Sequence, residues 1–277
     1  MFDIQDYAYD LPEGLIAKVP SSRRDHARLL VVDRSEGTFL DRHFHDLPSL
    51  LNPGDLLVVN NTKVVPARLF GRKESGGQIE VLVLEHANPH SQKSNTRWCL
   101  SKAAKRPKKG SRLYFGHDVS GSVEDVRDGG LTQICFNGPF SIDRFLEENG
   151  TMPLPPYIKR DGNNGRSSLD RERYQTLFCQ KKGAVAAPTA GFHFTKALIK
   201  KLNDSGVSLV ELTLHVGHGT FKPVRTKDIR NHELGEEDYI IDPATAETIN
   251  RFKKEGKRII AVGTTVVRAL ETAALPN

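Results

Sequence analysis

The alternation of apolar and polar residues divides the chain into a front part, a middle part and a back part. In the front part, Arg28 to Asp33 predicts a strand, Leu47 to Leu51 a short helix, and Asp55 to Val59 a second strand. From Val64 onward, short alternating segments are separated by tight turns, and no helical period occurs. Strands at this spacing without helices between them predict a small antiparallel barrel, which we place at residues 64–140.

The back part returns to longer elements, two of them helices with clear start signals. Ser141 is placed to cap a helix through Glu148, and Thr195 to cap an amphipathic helix that carries Leu198 and Leu202. The further predictions are a helix over 170–181, strands over Ala184–Ala187, Val207–Val216 and Lys257–Val262, a helix from Pro243 to Gly256, and a last helix after Gly263-Thr264-Thr265. Strand Ala184–Ala187, the Thr195 helix and strand Val207–Val216 would form a βαβ unit.

These elements predict an α/β fold with two domains. A layered α/β main domain is expected from residues 1–63 and 141–277 together, with the small antiparallel β-barrel of residues 64–140 inserted into it. A chain of 277 residues is long enough for two moderate cores.

Two loops are the first candidates for a functional site. Residues Pro188 to Thr195 and His215 to Thr220 each follow a predicted strand, and ligands in open α/β sheets bind outside the carboxyl ends of strands. The loops contain His193 and His215, which can move protons near neutral pH, and glycines that let the backbone approach a ligand. The alternative is ordinary: a lone His is more often a structural residue, and a Gly-x-Gly more often a simple turn.

Two further strand ends carry groups suited to a ligand. Asn60 and Asn61 follow the second strand, although an Asn-rich turn would have the same composition. Gly263-Thr264-Thr265 joins a strand to the helix that contains Arg268, and a helix N-terminus favours anions.

Composition indicates a reduced, soluble protein. Hydrophobic residues make up 38% and charged residues 27% of the chain, as in ordinary globular proteins. The three cysteines are far apart and lack metal-ligand spacing, which favours a reducing compartment. The acidic start has no signal-peptide pattern, and no apolar run is long enough for a bilayer, so we expect a cytoplasmic protein with no membrane partner.

The positive charge is unevenly distributed. The net charge is +6, and between His86 and His117 eight cations occur without one Asp or Glu: Lys93, Arg97, Lys102, Lys105, Arg106, Lys108, Lys109 and Arg112. A solvated loop would explain the run as well as a phosphate-binding surface would. Our RNA-binding candidates are Lys102, Lys105, Arg106, Lys108 and Lys109, with Arg160 from the extended connector Met152 to Arg160.

Several long strings resemble one enzyme family. GAVAAPTAGFHFT, LTLHVGHGTFKPV and AVGTTVVRALE are similar to sequences of the S-adenosylmethionine:tRNA ribosyltransferase-isomerases of queuosine biosynthesis. RRDHARLLVVDR, GDLLVVNNTKVVPARL and MPLPPYIKR extend the resemblance over nearly the whole chain, in order.

The resemblance implies a transferase that uses S-adenosylmethionine as a ribosyl donor. It would transfer and isomerise the ribose onto 7-aminomethyl-7-deazaguanine in tRNA, giving epoxyqueuosine and releasing adenine and methionine. S-adenosylmethionine is then a co-substrate, tRNA is the partner, and neither another cofactor nor a metal is expected. A monomer is expected.

The resemblance also suggests roles for residues inside the matched strings. The candidate bases are His193 and His215, with Asp25 as the next candidate. The candidate substrate-binding residues are Arg24, Arg28, Asn60, Asn61, Thr189, Gly191, Gly217, Gly219, Thr220, Thr264, Thr265 and Arg268. For the Arg24, Asp25 and Arg28 group, a structural ion pair is an equal alternative.

Two departures from the family pattern leave alternatives open. Gly235 stands where the family has a second histidine after the one matched by His232, and the chain stops at Asn277, before the family's Thr-Asn-Phe-His-Leu-Pro motif. We therefore expect a C-terminally truncated, impaired form. The competing hypotheses are a non-catalytic RNA-binding module and a metallohydrolase that uses His193, His215, His218 and His232.

Overall fold

The computed structural model describes residues 2–84, 95–158, 168–221 and 223–274. Its strands are β1 (Arg28–Asp33), β2 (Thr38–His43), β3 (Leu56–Asn60), β4 (Thr62–Val64), β5 (Arg68–Lys73), β6 (Gln78–Val83), β7 (Thr96–Lys102), β8 (Arg112–Gly116), β9 (Val119–Val126), β10 (Leu131–Asn137), β11 (Lys181–Ala184), β12 (Ser208–Leu214), β13 (Tyr239–Ile240) and β14 (Ile259–Ala261). Its helices are α1 (Leu47–Leu50), α2 (Ile142–Asn149), α3 (Ser168–Arg173), α4 (Lys196–Asp204), α5 (Pro243–Lys254) and α6 (Thr264–Ala274). Short 3₁₀ turns occur at Arg24–His26, Phe44–Asp46, Thr189–His193 and His218–Phe221.

The main domain is built on a four-stranded sheet in the order β13-β12-β3-β14. Strand β3 runs parallel to both β12 and β14, and all five of its residues are buried because helices cover both faces of the sheet. Leu56 and Val58 pack with Phe252 of α5 and Val266 of α6 on one face. On the other face, Leu57 and Val59 pack with α4 and with Phe194.

The middle part forms the predicted barrel. Six strands close in the order β10-β7-β6-β5-β8-β9, and each neighbouring pair is antiparallel. Ile79, Val81, Leu113 and Ile134 fill the inside, and Phe145 of α2 joins the same core. The predicted fold class, an α/β domain with an inserted antiparallel barrel, is confirmed, while the boundaries at residues 64 and 140 stay a prediction.

The helix caps are where the sequence predicted them. The side chains of Ser141, Thr195 and Asp242 accept hydrogen bonds from backbone N–H groups at the starts of α2, α4 and α5. The predicted strand at Arg28–Asp33 matches β1, which pairs with β2 as an antiparallel hairpin.

The predicted βαβ unit is wrong. The strand before α4 is Lys181–Ala184, and it pairs in parallel with β4 in a separate two-stranded sheet. β4, which directly follows β3 in the chain, provides the edge with which β11 pairs, whereas β12 pairs with β3 and, at Thr213 and Leu214, with β13. Only one backbone hydrogen bond, from Val185 N to Val216 O at 2.9 Å, joins the segment after β11 to the segment after β12 in the described residues.

The helix predicted over 170–181 is also wrong in length, since α3 ends at Arg173. The Gln175 side chain accepts from Val64 N at 3.1 Å and donates to Val64 O at 2.8 Å, in the way that a neighbouring strand would. These two bonds hold the chain against β4 and end the helix. Within the described residues no helix is long and apolar enough to cross a membrane.

Candidate active site

Asn60 ties together three loops at the carboxyl ends of the parallel strands. Its Nδ2 donates to Leu214 O at 3.0 Å and to Thr265 Oγ1 at 3.3 Å, and its Oδ1 accepts from Leu214 N at 3.2 Å and Thr62 N at 3.0 Å. These bonds link the ends of β3 and β12 with the start of α6. The amide is fully used by the protein, so Asn60 positions the crevice.

Asn61 points to a different set of partners. Its Nδ2 donates to Glu211 Oε2 at 3.1 Å, and its Oδ1 accepts from Thr213 Oγ1 at 2.7 Å. Both amides that we predicted to bind substrate therefore have buried protein partners. Their direct contact with a substrate stays a prediction.

The loops after β11 and β14 touch each other. Gly263 has a φ of +92°, and a Cβ built on it would lie 3.1 Å from Ala190 Cβ. Gly191 is buried against Thr176, where a Cβ would come within 2.8 Å of the Thr176 side chain. Thr189 and Thr264, beside these contacts, are exposed, so their hydroxyl groups remain open to a ligand.

His215 is held between two segments. Thr62 Oγ1 lies 2.8 Å from its Nδ1, and a Cβ on Gly183 would come within 2.7 Å of the ring, so only glycine fits beside it. Burial lowers the pKa of His215 below its ordinary value of 6.5, and the negative charge of Asp238 opposes this shift. The imidazole is therefore neutral at pH 7 and able to accept a proton.

His193 packs in a different environment, near the N-terminal segment. Its ring centroid lies 5.1 Å from that of Phe44, and Arg24 Nη1 donates to the neighbouring Phe192 O at 3.0 Å. Burial lowers the pKa of His193 below 6.5, while a hydrogen bond with the Arg24 backbone acts in the opposite direction. The second nitrogen of the guanidinium donates to Glu172 O at 3.0 Å, so Arg24 is used to join chain segments.

Asp25 and Arg28 differ in their access to the site. Asp25 is buried, and its Oδ2 accepts a hydrogen bond from Thr195 Oγ1 at 3.2 Å. Its Oδ1 lies 3.5 Å from Arg23 Nε and has no hydrogen-bond partner among the described residues. Arg28 lies on the exposed β1–β2 hairpin and pairs with Asp41 at 3.3 Å. Asp25 thus has an unused acceptor, whereas Arg28 has a cross-strand partner.

The sequence analysis missed Glu237, a carboxylate that organises the loop after β12. Its Oε1 accepts from Gly217 N at 2.8 Å, and its Oε2 pairs with Arg268 Nη1, whose second nitrogen donates to Gly235 O at 2.9 Å. A Cβ on Gly219 would come 1.9 Å from Leu234 O, so the loop lies directly on this segment. The only signal in the sequence was an acidic stretch, which has no characteristic spacing.

A cavity of about 620 Å³ opens beside the β4–β11 pair, and the sequence analysis missed it too. Its walls include Gln175 and four cations, which are Arg24, Lys63, Arg171 and Lys182. Arg171 donates to the backbone carbonyls of Glu147 and Gly150, and Lys182 pairs with the Glu147 carboxylate, so only the charge of Lys182 is partly neutralised. The one signal in the sequence for this cavity was that Lys63 directly follows Asn60, Asn61 and Thr62.

The predicted RNA-binding cations of the barrel are all exposed. Lys102 ends β7, and Lys105, Arg106, Lys108 and Lys109 lie in the loop that leads to β8. A groove of about 1190 Å³ lies next to this loop, and its wall includes Arg72, Lys73, Lys102, Phe70 and Tyr114. The two aromatic side chains are 42% and 45% exposed, in that order.

Not every cation of the basic run faces solvent. Arg97 is only 2% exposed, and its Nη2 lies 3.1 Å from Asp143 Oδ2. Trp98 is half-buried, and Arg127 lies 4.2 Å over its ring. Arg160 and Lys93 lie outside the described residues.

Comparison with known proteins identifies the family. A sequence model described as "Queuosine biosynthesis protein" matches residues 4–276. The S-adenosylmethionine:tRNA ribosyltransferase-isomerase of Citrifermentans bemidjiense is 46% identical over 272 residues, covering 98% of this chain and 77% of that protein. The corresponding protein of Gloeobacter violaceus is 47% identical over 278 residues, covering 100% of this chain and 75% of that protein.

The chain belongs to the S-adenosylmethionine:tRNA ribosyltransferase-isomerase family. The predicted resemblance is thereby confirmed. A solved structure, the S-adenosylmethionine tRNA ribosyltransferase of Thermotoga maritima, is 32% identical and aligns with a TM-score of 0.44, covering 100% of this chain and 74% of that chain.

The described residues do not support a metal in the ribosyltransferase-isomerase crevice. His193, His215, His218 and His232 form no group of three convergent ligands in the part of the chain that the structure describes. His193 and His215 instead contact different partners, Phe44 and Thr62. The metallohydrolase hypothesis therefore has no geometric support.

Proposed function

We propose that this chain is an S-adenosylmethionine:tRNA ribosyltransferase-isomerase. In this proposal it transfers and isomerises the ribosyl group of S-adenosylmethionine onto 7-aminomethyl-7-deazaguanine in tRNA. The products are epoxyqueuosine in tRNA, adenine and methionine. The observation that carries the proposal is the match to relatives of this name at 46% and 47% identity over nearly the whole chain.

The reaction requires a base near neutral pH, because the sulfonium acidifies the neighbouring C5′ hydrogens. His215 suits this role: when Nδ1 carries the hydrogen and donates to Thr62 Oγ1, Nε2 is left with a lone pair that can accept a proton. Thr62 then fixes the tautomer of the base. The lowered pKa of the ring keeps it unprotonated at pH 7.

His193, whose pKa burial also lowers, is the alternative candidate for this base, and Asp25 is the next candidate after it. Asp25 is buried with an unbonded Oδ1, and its other oxygen is oriented by the hydroxyl of Thr195, two residues after His193.

We propose that the exposed hydroxyls of Thr189, Thr220 and Thr264 bind ribose and the methionine end of S-adenosylmethionine. Gly191, Gly217 and Gly219 let the backbone approach the ligand, and Thr265 lies at the start of α6, where backbone N–H groups favour the methionine carboxylate. Arg268 contributes only in part to binding the methionine carboxylate, because its guanidinium already pairs with Glu237.

For tRNA, the barrel offers the second half of the site. Lys102, Lys105, Arg106, Lys108 and Lys109 supply positive charge for phosphates, and exposed Phe70 and Tyr114 in the adjacent groove supply faces on which bases can stack. We include Arg160 in this surface on its sequence position alone. We further propose a cytoplasmic monomer that needs no cofactor beyond the co-substrate S-adenosylmethionine.

The test is a single-turnover assay with S-adenosylmethionine and tRNA that carries the 7-deazaguanine precursor. We expect adenine release and epoxyqueuosine formation together, and neither product when the tRNA carries ordinary guanine. Tight tRNA binding without adenine release would support the RNA-binding module. Hydrolytic activity that requires added zinc, without release of adenine, would support the metallohydrolase.

A further inference from the structure

Three donor side chains come together outside the crevice, on the surface near the end of β2. The ligating atoms of His43, His45 and Asp46 all lie within 4.8 Å of one another. The rings of His43 and His45 are nearly parallel, 8° apart, with centroids separated by 5.4 Å. Neither histidine belongs to the site that we propose for the transferase.

A third imidazole reaches the same place from another part of the chain. The ring centroid of His26 lies 5.4 Å from that of His45. Two imidazoles that bind one tetrahedral Zn²⁺ at about 2.0 Å have ring centroids about 5 Å apart, and both observed spacings are near this value. The parallel rings of His43 and His45 must still rotate relative to each other before both lone pairs point at one ion, and both side chains are exposed. His26 is not among the three residues whose ligand atoms lie within 4.8 Å of one another, so rotation of its side chain would have to bring its nitrogen to the ion.

The backbone beneath the cluster is already ordered. Asp46 Oδ2 accepts from His43 N at 3.0 Å, and its other oxygen lies 3.4 Å from His45 Nε2. Phe44, between the two histidines, packs in the core against Phe194 at 5.0 Å between centroids. The ligands His43, His45 and Asp46 therefore come from one short segment whose position is set without a metal.

We propose that His43, His45, Asp46 and His26 form a binding site for a borderline divalent transition-metal ion such as Zn²⁺. Imidazole and carboxylate are ligands suited to this class of ion. The site is open: the side chains of His45 and Asp46 are 46% and 34% exposed, so solvent reaches the ion. Arg23 and Lys201 line the adjacent cavity of about 420 Å³ and oppose a cation, so affinity is lower than at a buried site.

The role of this ion is structural. It would join the turn Arg24–His26 to the end of β2, and that turn also holds Arg24 and Asp25. An ion that binds only the folded state stabilises it by RT ln(1 + L/Kd), where L is the concentration of free ion, so the gain rises with that concentration. This inference does not rest on the proposed transferase function, because the four ligands and the crevice residues are different.

The experiment uses untagged, metal-free protein titrated with Zn²⁺ by calorimetry, followed by thermal melting with and without the ion. We expect one equivalent of Zn²⁺, a higher Tm, and reversal by a chelator. His45→Ala should weaken binding at least about 10-fold, as the loss of even a supporting group does at metal sites. His117→Ala removes an exposed histidine on the barrel and is the matched control, which should bind Zn²⁺ normally.

Equal binding by the His45→Ala variant and the unchanged protein would overturn the proposal, as would the absence of one-equivalent binding. If His45→Ala melts at a lower temperature without metal, His26→Ala provides the second comparison, because His26 is exposed. Co²⁺ gives an independent readout, because a tetrahedral site absorbs visible light strongly. That absorption should be present in His117→Ala and lost in His45→Ala.

Discussion

The exposed lysine pair Lys108 and Lys109 provides a quantitative test of the tRNA surface. Both residues lie in the loop between β7 and β8, and both side chains are exposed, so their removal leaves the barrel core intact. The double variant Lys108→Ala, Lys109→Ala removes two positive charges. Lys253 and Lys254 on α5 are also adjacent and exposed, and their double Ala variant is the matched control.

The expected magnitude follows from counterion release. Each phosphate that a cation neutralises contributes about 0.7 to 0.9 to the slope of log K against log salt concentration. Loss of two contacts should therefore reduce the slope by about 1.4 to 1.8, and removal of Lys105 and Arg106 as well should double the effect. Arg97 is excluded from the count because it is buried against Asp143.

The assay is tRNA binding by fluorescence anisotropy over a series of salt concentrations. The loop variant should show a flatter salt dependence and weaker binding at low salt, while the α5 variant should match the unchanged protein. If the two double variants give the same slope, the loop does not contact phosphates and the barrel assignment fails. If both slopes fall equally, the attraction is a general effect of net charge.

Four other predictions concern the crevice. Replacement of the true base by Gln, either His193→Gln or His215→Gln, should lower the rate about 10²- to 10⁴-fold without loss of tRNA binding; normal turnover by both variants would place the base elsewhere, with Asp25 next. Glu237→Gln keeps an acceptor for Gly217 N–H but turns an NH₂ group toward Arg268, so thermal melting should show a loss of about 1 to 3 kcal/mol, and an unchanged Tm would exclude a supporting role. Burial holds the pKa of both imidazoles below the unfolded value of 6.5, so the unfolded state binds more protons than the folded state as the pH falls. The contribution of His193 and His215 to stability should therefore be complete above pH 6.5 and be lost toward lower pH. Each Gln variant should flatten that part of the curve of Tm against pH. In the His45→Ala variant, which lacks the proposed surface zinc site, chelator treatment should leave the transferase rate unchanged, and a chelator-induced loss that zinc restores would contradict a metal-free crevice.

Local features of the sequence determined most of the elements. The helix caps Ser141, Thr195 and Asp242 are short-range signals, because each cap bonds a backbone N–H three residues away. The alternation in residues 64–140 indicated the barrel for a similar reason: side chains on successive strand residues point to opposite faces. Patterns of this kind depend on a few neighbouring residues, so they can be recognised without the fold.

The tertiary structure decided which strands pair and which polar groups remain free. Strand β12 pairs with β3 and β13, and not with β11 as we predicted. The pattern of apolar and polar residues alone carries no information on strand order. Thr62 and His215 are 153 positions apart, and Arg24 bonds a carbonyl 168 positions away. The hydrogen-bond partners of Asn60, Leu214 and Thr265, also come from distant loops, and a hydrogen bond between groups so far apart in the chain depends on the whole packed fold.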